Sequence, residues 1–405
     1  MKNIGIKISL FLIYFVFAAL LNSVGILIER SQEVYGVSKD SAALLELFKD
    51  IPIAIISFII GSFLPKIGYK KGMLFALAFV FLGCLGMYYG NAFWVVKILF
   101  AVTGMSFAIV KVSVYALIGY ATNTKKDHSQ LMSYIETTFM VGIIFMYTVF
   151  PLFYSDTDPN GWLRGYVLMA AIIGISFFII LLSKFNLHIE ETTTTLRQDF
   201  SNMLQLFKTP VIWLFAVFAF FYVMTEQGIM TWLPTFNKET LNIKAKLASQ
   251  MAVILMASFA FGRFITGLLI KKIKWVYIAT TGLLLAVVLV LLILPMASNV
   301  PNQTAGKLSD LPLVSFLFPM IGLFLAPLYP LISSTVLSNT DKSQHSSLAG
   351  ILTFFSAAGG TIGSFIIGSL FDLLGGNNVF YLSLVPMAII LFAIFRLNKL
   401  VTHNL

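Results

Sequence analysis

The sequence has little charge and almost no cysteine. Charged residues make up 11% of its 405 residues, against about 25% in ordinary soluble domains. Cys84 is the single cysteine, so neither an internal disulfide nor a cysteine-rich metal site is available. The four histidines, at positions 128, 188, 345 and 403, fall in predicted loops or the tail, which argues against a histidine proton relay. These shortages exclude an ordinary soluble domain and a disulfide scaffold.

Several signatures of soluble chemistry are also missing from the sequence. It has no glycine-rich phosphate loop, so this chain does not encode ATP as a driving force. The net charge of +10 is not gathered on a basic face with interleaved aromatic residues, so we predict no nucleic-acid partner. The loops are too short for a catalytic constellation or for the output domain of a membrane sensor. We therefore expect neither an enzyme nor a bound cofactor or metal.

Apolar residues dominate the chain and recur in long runs. Hydrophobic residues make up 59% of it, and a run of about 20 suffices for a helix to cross the bilayer. The alternating pattern of a membrane barrel is absent, and only helices or closed barrels satisfy their backbone in lipid. We predict an all-α polytopic membrane protein with twelve transmembrane helices. The predicted spans are 8–28, 44–64, 73–90, 93–120, 130–152, 162–183, 211–235, 249–270, 276–296, 313–337, 347–371 and 378–396.

The distribution of lysine and arginine predicts the orientation in the membrane. With a cytoplasmic N-terminus, 16 basic residues lie in cytoplasmic segments and seven on the opposite side. Basic residues accumulate on the cytoplasmic side, so we predict a cell inner-membrane protein with both termini in the cytoplasm. No cleavage site of small residues follows the first span, so we expect this span to be retained rather than removed as a signal peptide.

Short segments at the ends of two predicted spans resemble each other, which indicates an internal repeat. Phe58-Ile-Ile-Gly61 and Phe264-Ile-Thr-Gly267 each end the second span of a half and precede a lysine-rich loop. Two related six-helix halves are typical of carriers that open one central site to either side in turn. The predicted parts are an N-terminal bundle 1–183, a cytoplasmic linker 184–210 and a C-terminal bundle 211–405.

The loop after the second span carries a recognisable motif. Gly61-Ser-Phe-Leu-Pro-Lys66-Ile-Gly68-Tyr-Lys70-Lys71 resembles the loop signature of the major facilitator superfamily, with Pro65 where that family has aspartate. The resemblance implies two pseudo-symmetric six-helix bundles over the whole chain, secondary transport by alternating access and a monomer as the functional unit. It also implies a gating loop, whose candidate residues are Gly61, Lys66, Gly68, Lys70 and Lys71.

A second similarity, to the fucose/glucose/galactose:proton symporter group, rests on three features. They are Gly68-Tyr-Lys70, the Gly-Arg263 pair in helix eight and the glycine-rich helix eleven. That group carries a functional glutamate in helix four, at the position where this chain has Lys111. The coupling chemistry of the group is therefore not transferred to this position.

Lys111 and Glu136 are charges inside predicted spans four and five. Each such charge costs about 2.5–3.5 kcal/mol to insert, so it usually faces a partner or a water-filled cavity. Both lie at similar depth from the same side, within about one helical turn. We therefore hypothesise an ion pair between them, with Tyr115 one turn further along the Lys111 face. The pair would serve either substrate and proton binding or, alternatively, helix registration alone.

Glu226 and Arg263 are further charges within predicted spans seven and eight. Glu226 has Tyr222 one turn back and Gln227 beside it, and in such apolar surroundings it is our preferred proton-binding residue. The alternative is a protonated side chain bonded to a helix backbone. Arg263 would bind a carboxylate or anchor helix packing. The sequence places it several residues deeper in the membrane than Glu226, so whether the two pair directly stays open. Asn22 and Trp232 complete the predicted substrate and coupling residues.

These residues favour transport of a small polar solute. Two cations, Lys111 and Arg263, favour sugars, sugar acids or other organic anions as cargo, with proton-coupled symport as the driving reaction. The alternative is a proton-driven exporter of drugs or metabolites from the same superfamily. The predicted partners are thus a small-molecule substrate, protons and the lipid bilayer.

Overall fold

The computed structural model describes residues 4–154, 157–158, 160–185, 195–298, 300, 307 and 310–403. This part of the chain is almost entirely helical and contains no extended strand. Twelve of its helices are long and apolar enough to cross a membrane, which confirms the predicted number. Residues 186–194 of the predicted linker lie outside the described ranges. The spans α1 to α12 are Ile4–Ile28, Leu44–Ile67, Tyr69–Gly90, Phe93–Ala121, Lys125–Phe153, Gly161–Leu182, Pro210–Thr240, Gln250–Leu269, Trp275–Ala297, Val314–Ser338, Lys342–Phe371 and Gly376–Val401.

Span α1 is interrupted at Asn22 and Ser23. One helix covers Ile4–Leu21 and a second covers Val24–Tyr35. At the break, the Asn22 amide nitrogen donates to the Ala18 carbonyl at 2.9 Å. Such side-chain bonds to the preceding turn compete with the regular helical pattern, so a polar pair inside an apolar run ends the first helix.

Span α10 is also built from short pieces. Helices Val314–Leu317 and Ile321–Leu325 flank a 3₁₀ turn, and a longer helix, Leu328–Ser338, follows. Pro319 lies in the 3₁₀ turn and Pro327 precedes the last helix. Proline lacks the backbone N–H that continues a helix, which accounts for these interruptions.

Contacts within the chain define two units. Unit 1 comprises residues 1–123, 138–207 and 340–354, and unit 2 comprises 124–137, 208–339 and 355–405. The first part of α5 therefore belongs to unit 2, and the first part of α11 belongs to unit 1. The bundle boundaries predicted at 183 and 211 concern the order of spans along the chain, and they stay a prediction.

Glycines let α11 approach α7 closely within unit 2. A Cβ at Gly359 would collide with the Phe220 carbonyl oxygen, and one at Gly363 would collide with that of Met224. Small residues at helix contacts in membranes permit this backbone proximity. The glycine-rich stretch of α11 is therefore a packing surface for the helix that carries Glu226.

Two histidines lie in helices rather than in the predicted loops. His128 is buried in the first turn of α5, where its Nδ1 shares a 2.7 Å hydrogen bond with the Ser334 hydroxyl. His345 is buried at the start of the helix His345–Leu374, and its Nε2 lies 3.1 Å from the Thr340 carbonyl oxygen. The loop assignment was wrong for both because each helix begins earlier than its apolar run. His188 lies outside the described residues.

Candidate functional site

A buried ionic cluster in unit 2 is centred on Arg263 of α8. Its Nη2 donates to Glu226 Oε1 at 2.6 Å, and its Nη1 donates to Glu136 Oε2 at 3.2 Å. Nη1 also lies 3.3 Å from the Glu136 carbonyl oxygen. The Arg263 side chain is 2% exposed, whereas those of Glu136 and Glu226 are 4% and 10% exposed. One guanidinium thus joins carboxylates from α5 and α7, and Glu226 is the more accessible of the two.

Tyr222 connects this cluster to an aromatic stack. It lies one helical turn before Glu226, so both side chains share a face of α7. Its hydroxyl donates to Glu226 Oε1 at 3.2 Å, the same oxygen that accepts from Arg263. Its ring lies between those of Phe218 and Tyr329, with centroid distances of 5.6 and 5.3 Å. The Glu226 carboxylate therefore accepts two hydrogen bonds, and one of its donors, Tyr222, belongs to an aromatic group.

The electrostatics of this cluster set its chemistry. A buried charge is tolerated when it is paired and hydrogen-bonded. The planar guanidinium of Arg263 has several N–H donors and can bond two carboxylates at once. Its single positive charge faces two carboxylates, so Glu136, Glu226 and Arg263 together carry one net negative charge when both acids are ionised. Uptake of one proton would make these three residues neutral. The buried Arg263 Nε–H has no hydrogen-bond partner among the described residues.

Arg263 and Glu226 are in direct contact. Their pairing, left open from sequence depth, is a direct 2.6 Å contact because the long arginine side chain spans the offset between the two backbones. The Glu226 carboxylate contacts a guanidinium and a phenol hydroxyl, those of Arg263 and Tyr222. Arg263 contacts carboxylates of two other helices, α5 and α7.

Lys111 lies in unit 1 beside aromatic rings. Its Nζ is 5.8 Å from the ring centroids of both Phe107 and Tyr115, within the range of cation–π attraction. Tyr115 is fully buried, and the Tyr14 ring lies 6.5 Å from it. The predicted pairing of Lys111 with Glu136 stays a prediction. The Glu136 carboxylate contacts Arg263 at 3.2 Å.

The remaining predicted pocket residues have packing contacts. The Gln227 side chain lies against Gly360, because neighbouring residues of α7 point in different directions. The Trp232 indole N–H donates to the Ser364 carbonyl at 2.8 Å, and its ring occupies the space beside Gly368. Asn22 lies at the break of α1. Of the predicted residues, the structure brings Glu136, Tyr222, Glu226 and Arg263 together in one cluster.

The predicted gating loop has one contact that its motif does not show. Lys66 forms an ion pair with Asp199, which belongs to the helix Leu196–Gln205 within the predicted linker. Pro65 leaves the loop without the aspartate of the motif, and Asp199 supplies a carboxylate from another segment of unit 1. Gly68 has φ of 93°, a conformation that favours glycine.

Two other motif residues, Lys70 and Gly61, also have contacts within unit 1. The Lys70 ammonium donates to the Leu181 and Ser183 carbonyls, both at 2.8 Å. Gly61 packs on the backbone of Gly350, where an added Cβ would lie 3.0 Å from the Gly350 Cα. Lys71 is exposed.

We expect Asp199→Asn to lower the free energy of unfolding by about 1 kcal/mol, because the partly buried Lys66 would lose its partner. Exchanging the two charges, Lys66→Asp with Asp199→Lys, should restore most of this loss. Thermal unfolding in detergent measures both effects. Asp127→Asn is the matched control, since its contact with Lys271 is exposed and 3.8 Å long. An equal loss in the control would show that the Lys66 pair contributes nothing specific.

Sequence reasoning missed the residues that support the cluster from other helices. The Tyr329 ring lies 5.3 Å from the Tyr222 ring, and its hydroxyl shares a 3.1 Å hydrogen bond with Ser356. The Phe259 ring lies 5.7 Å from the Arg263 guanidinium carbon. Tyr329 had one available signal, since it is a tyrosine between two intramembrane prolines. Phe259 and Ser356 had none, because single aromatic and hydroxyl residues are common in such spans.

The fold defines an all-α polytopic membrane protein with twelve spans, and comparison with known proteins identifies its family. The family model of the Major Facilitator Superfamily matches residues 10–305, well over half of the chain. The chain therefore belongs to this superfamily and is a membrane transporter rather than an enzyme. This confirms the predicted fold class and the resemblance drawn from the loop motif.

The similar proteins extend over the full length. A "Protein TsgA homolog" from Buchnera aphidicola subsp. Schizaphis graminum is 22% identical, covering 97% of this chain and 98% of its own. The E. coli fucose:proton symporter FucP has a TM-score of 0.79 at 17% identity, covering 99% of each chain. The human organic anion transporter MFSD10 (TETRAN) has a TM-score of 0.77 at 16% identity, covering 98% of this chain and 100% of its own. At these identities, the likeness to solved structures shows the fold alone.

Proposed function

We propose that this transporter moves a small polar solute together with protons across the cell inner membrane, by alternating access and with both termini in the cytoplasm. The observation that carries the proposal is the single guanidinium of Arg263 between the buried carboxylates of Glu136 and Glu226. A buried carboxylate that shares its counter-ion is suited to bind and release a proton.

Glu226 is the proposed proton carrier and Arg263 its charge partner. Protonation of Glu226 would weaken its bond to Arg263. The guanidinium would then donate its hydrogen bonds to Glu136 or to an oxygen of the substrate. The Nε–H of Arg263, without a partner among the described residues, adds a further donor for such an oxygen. Proton binding and solute binding would thus be coupled through one side chain.

The proposed cargo is a sugar, a sugar acid or another organic anion. A buried arginine that donates hydrogen bonds suits hydroxyl and carboxylate oxygens. The stacked rings of Phe218, Tyr222 and Tyr329 provide flat apolar faces beside these donors. Similar structures include a fucose:proton symporter and an organic anion transporter, which agrees with this class of cargo.

The aromatic stack also supports the alternative, a proton-driven exporter of drugs or metabolites. Amphipathic compounds bind well to aromatic faces beside a single acid. Cationic members of that class would be disfavoured by Arg263 and Lys111. A preference for lipophilic cations would therefore separate the alternative from the proposal.

Lys111→Met tests whether unit 1 contributes a substrate contact. We expect affinity for an anionic or hydroxyl-rich solute to fall at least about tenfold, since a desolvated charged hydrogen bond contributes roughly 1.5–3 kcal/mol. Ligand-induced thermal shifts measure this change. Lys97→Met is the matched control, because Lys97 lies in the same helix and its Nζ is 4.6 Å from the Phe93 ring. Unchanged affinity in a destabilised Lys111 variant would show that this residue serves helix registration alone.

Solute-driven proton flux is the experiment that tests the proposed function. Purified protein is first screened by thermal shift against sugars, sugar acids, carboxylates and lipophilic cations. Each ligand found is then added to proteoliposomes that contain a trapped pH-sensitive dye. We expect a sugar or organic anion to drive proton movement in the same direction as the solute. Uptake of a solute without proton movement would refute the coupling, and proton movement opposite to a drug would favour the exporter.

A further inference from the structure

A groove on unit 2 is separate from the ionic cluster. Its volume is about 330 Å³, and α8, α9 and α10 form its walls and floor. Most of its lining is apolar, including Ile265, Leu269, Ile273 and Leu285. Leu269, Ile273 and Leu285 are 36–41% exposed, and in a membrane such apolar residues meet lipid. The groove is therefore open to the hydrocarbon layer.

Close helix packing forms the floor of this groove. A Cβ at Gly262 would collide with the Leu323 carbonyl oxygen, and one at Gly282 would lie 2.5 Å from that of Phe324. The glycines thus allow α8 and α9 to pack closely against α10. The space where larger side chains would stand forms the apolar part of the groove, which we call the furrow. From Tyr277 to Leu285 the furrow follows α9, a length of about 12 Å at a rise of about 1.5 Å per residue. This length suits part of an acyl chain.

One end of the groove lies at a lysine-rich turn. Ile273 lines the groove and stands between Lys272 and Lys274 in the loop that joins α8 to α9. Both lysines are exposed, and neither has an acidic partner among the described residues. Lys271 differs, because its Nζ lies 3.8 Å from an Asp127 carboxylate oxygen. Two uncompensated cations therefore stand at the mouth of an apolar furrow.

A tyrosine marks the level of the lipid headgroups. Tyr277 lines the groove one turn after Lys274, and 62% of it is exposed. Tyrosine is enriched at the membrane–water boundary, where its ring meets acyl chains and its hydroxyl meets headgroups. The order of lysines, tyrosine and apolar furrow matches the order of phosphate, glycerol and acyl chain in a phospholipid.

We propose that this groove binds an anionic phospholipid, with its phosphate at Lys272 and Lys274 and an acyl chain along α9. Basic pockets between transmembrane helices recognise such headgroups through charge, and a zwitterionic lipid with the same chains lacks this attraction. The lipid would brace α8, the helix that carries Arg263, from its outer face. This site is independent of the proposed substrate and proton chemistry.

Lipid titration of the purified full-length protein tests this site. Dioleoyl phosphatidylglycerol and dioleoyl phosphatidylcholine, which share acyl chains, are added separately, and bound lipid is counted by native mass spectrometry. We expect the phosphatidylglycerol to bind more tightly. The double variant Lys272→Gln/Lys274→Gln should weaken its binding about 10- to 30-fold, since each lysine near an anionic headgroup gives roughly a fivefold preference.

Two further variants separate this site from general charge effects. Lys208→Gln/Lys399→Gln removes the same charge from the same predicted membrane side, outside the groove, and should leave binding within about twofold. Thr281→Phe fills the furrow at an exposed position and should reduce binding of both lipids. Equal binding of the two lipids, or an equal loss in the control double variant, would overturn the proposal. Proton flux is measured in parallel, and its loss with intact lipid binding would concern the proposed function alone.

Discussion

Glu226→Gln should reduce solute-driven proton flux roughly 100-fold or more, while solute binding stays within a few-fold of the wild type. Glutamine keeps the size and hydrogen-bonding capacity of a protonated glutamate, but it neither takes up nor releases a proton. Binding therefore survives, and the coupled proton movement does not. The measurement is the internal pH of proteoliposomes after addition of the solute, alongside thermal shifts for binding.

Two control variants sharpen this expectation. Glu46→Gln removes a glutamate from span α2 of unit 1 and should leave the flux within about threefold of the wild type, since Glu46 is outside the cluster. Glu226→Asp keeps an ionisable group and should retain part of the flux. If Glu226→Gln still moved protons with its solute, the carrier would be another residue, and Glu136 would be the next to test.

Arg263→Met should destabilise the protein by roughly 3–5 kcal/mol, the usual effect of removing one partner from a buried ion pair. Two carboxylates, of Glu136 and Glu226, would then lack the guanidinium that contacts both. Thermal unfolding in detergent measures the loss. Arg164→Met is the matched control, because its contact with Asp158 is exposed and contributes at most about 1 kcal/mol.

Removing the carboxylates in the same protein should rescue stability. In the triple variant Arg263→Met/Glu136→Gln/Glu226→Gln no charge of the cluster remains, and most of the lost stability should return, since neutral replacements of buried ion pairs are often tolerated. This rescue would show that the loss came from uncompensated charge rather than from packing. A triple variant as unstable as Arg263→Met would point to packing of the arginine side chain instead.

Much of the fold could be predicted from the sequence because it depends on local properties of the chain. The length of each apolar run determines whether it spans the bilayer, and twelve runs gave twelve spans. The loop motif from Gly61 to Lys71 indicated the family, which the match over residues 10–305 confirms. Helix starts were less accurate, and both buried histidines were assigned to loops for that reason.

The candidate site was predicted only in part. A charged residue inside a span is conspicuous because its insertion into the membrane costs free energy. The sequence therefore identified Glu136, Glu226 and Arg263, each by itself. Their mutual contacts depend on the rotation of each helix and on how closely the helices pack. The hydrophobicity of a single span determines neither the rotation nor the packing. The same limit applies to Trp232, which was predicted in a pocket and packs beside Gly368.

The sequence by itself determined that this chain is a twelve-span transporter with costly charges inside its membrane helices. The tertiary structure alone decided that Arg263 joins Glu226 to Glu136, and that Asp199 supplies Lys66 with the carboxylate missing from the loop. The physical reason is range. The free energy of transferring a segment into lipid is a sum over residues that are neighbours in the sequence. An ion pair between helices requires a side-chain contact that only the packing of the helices creates.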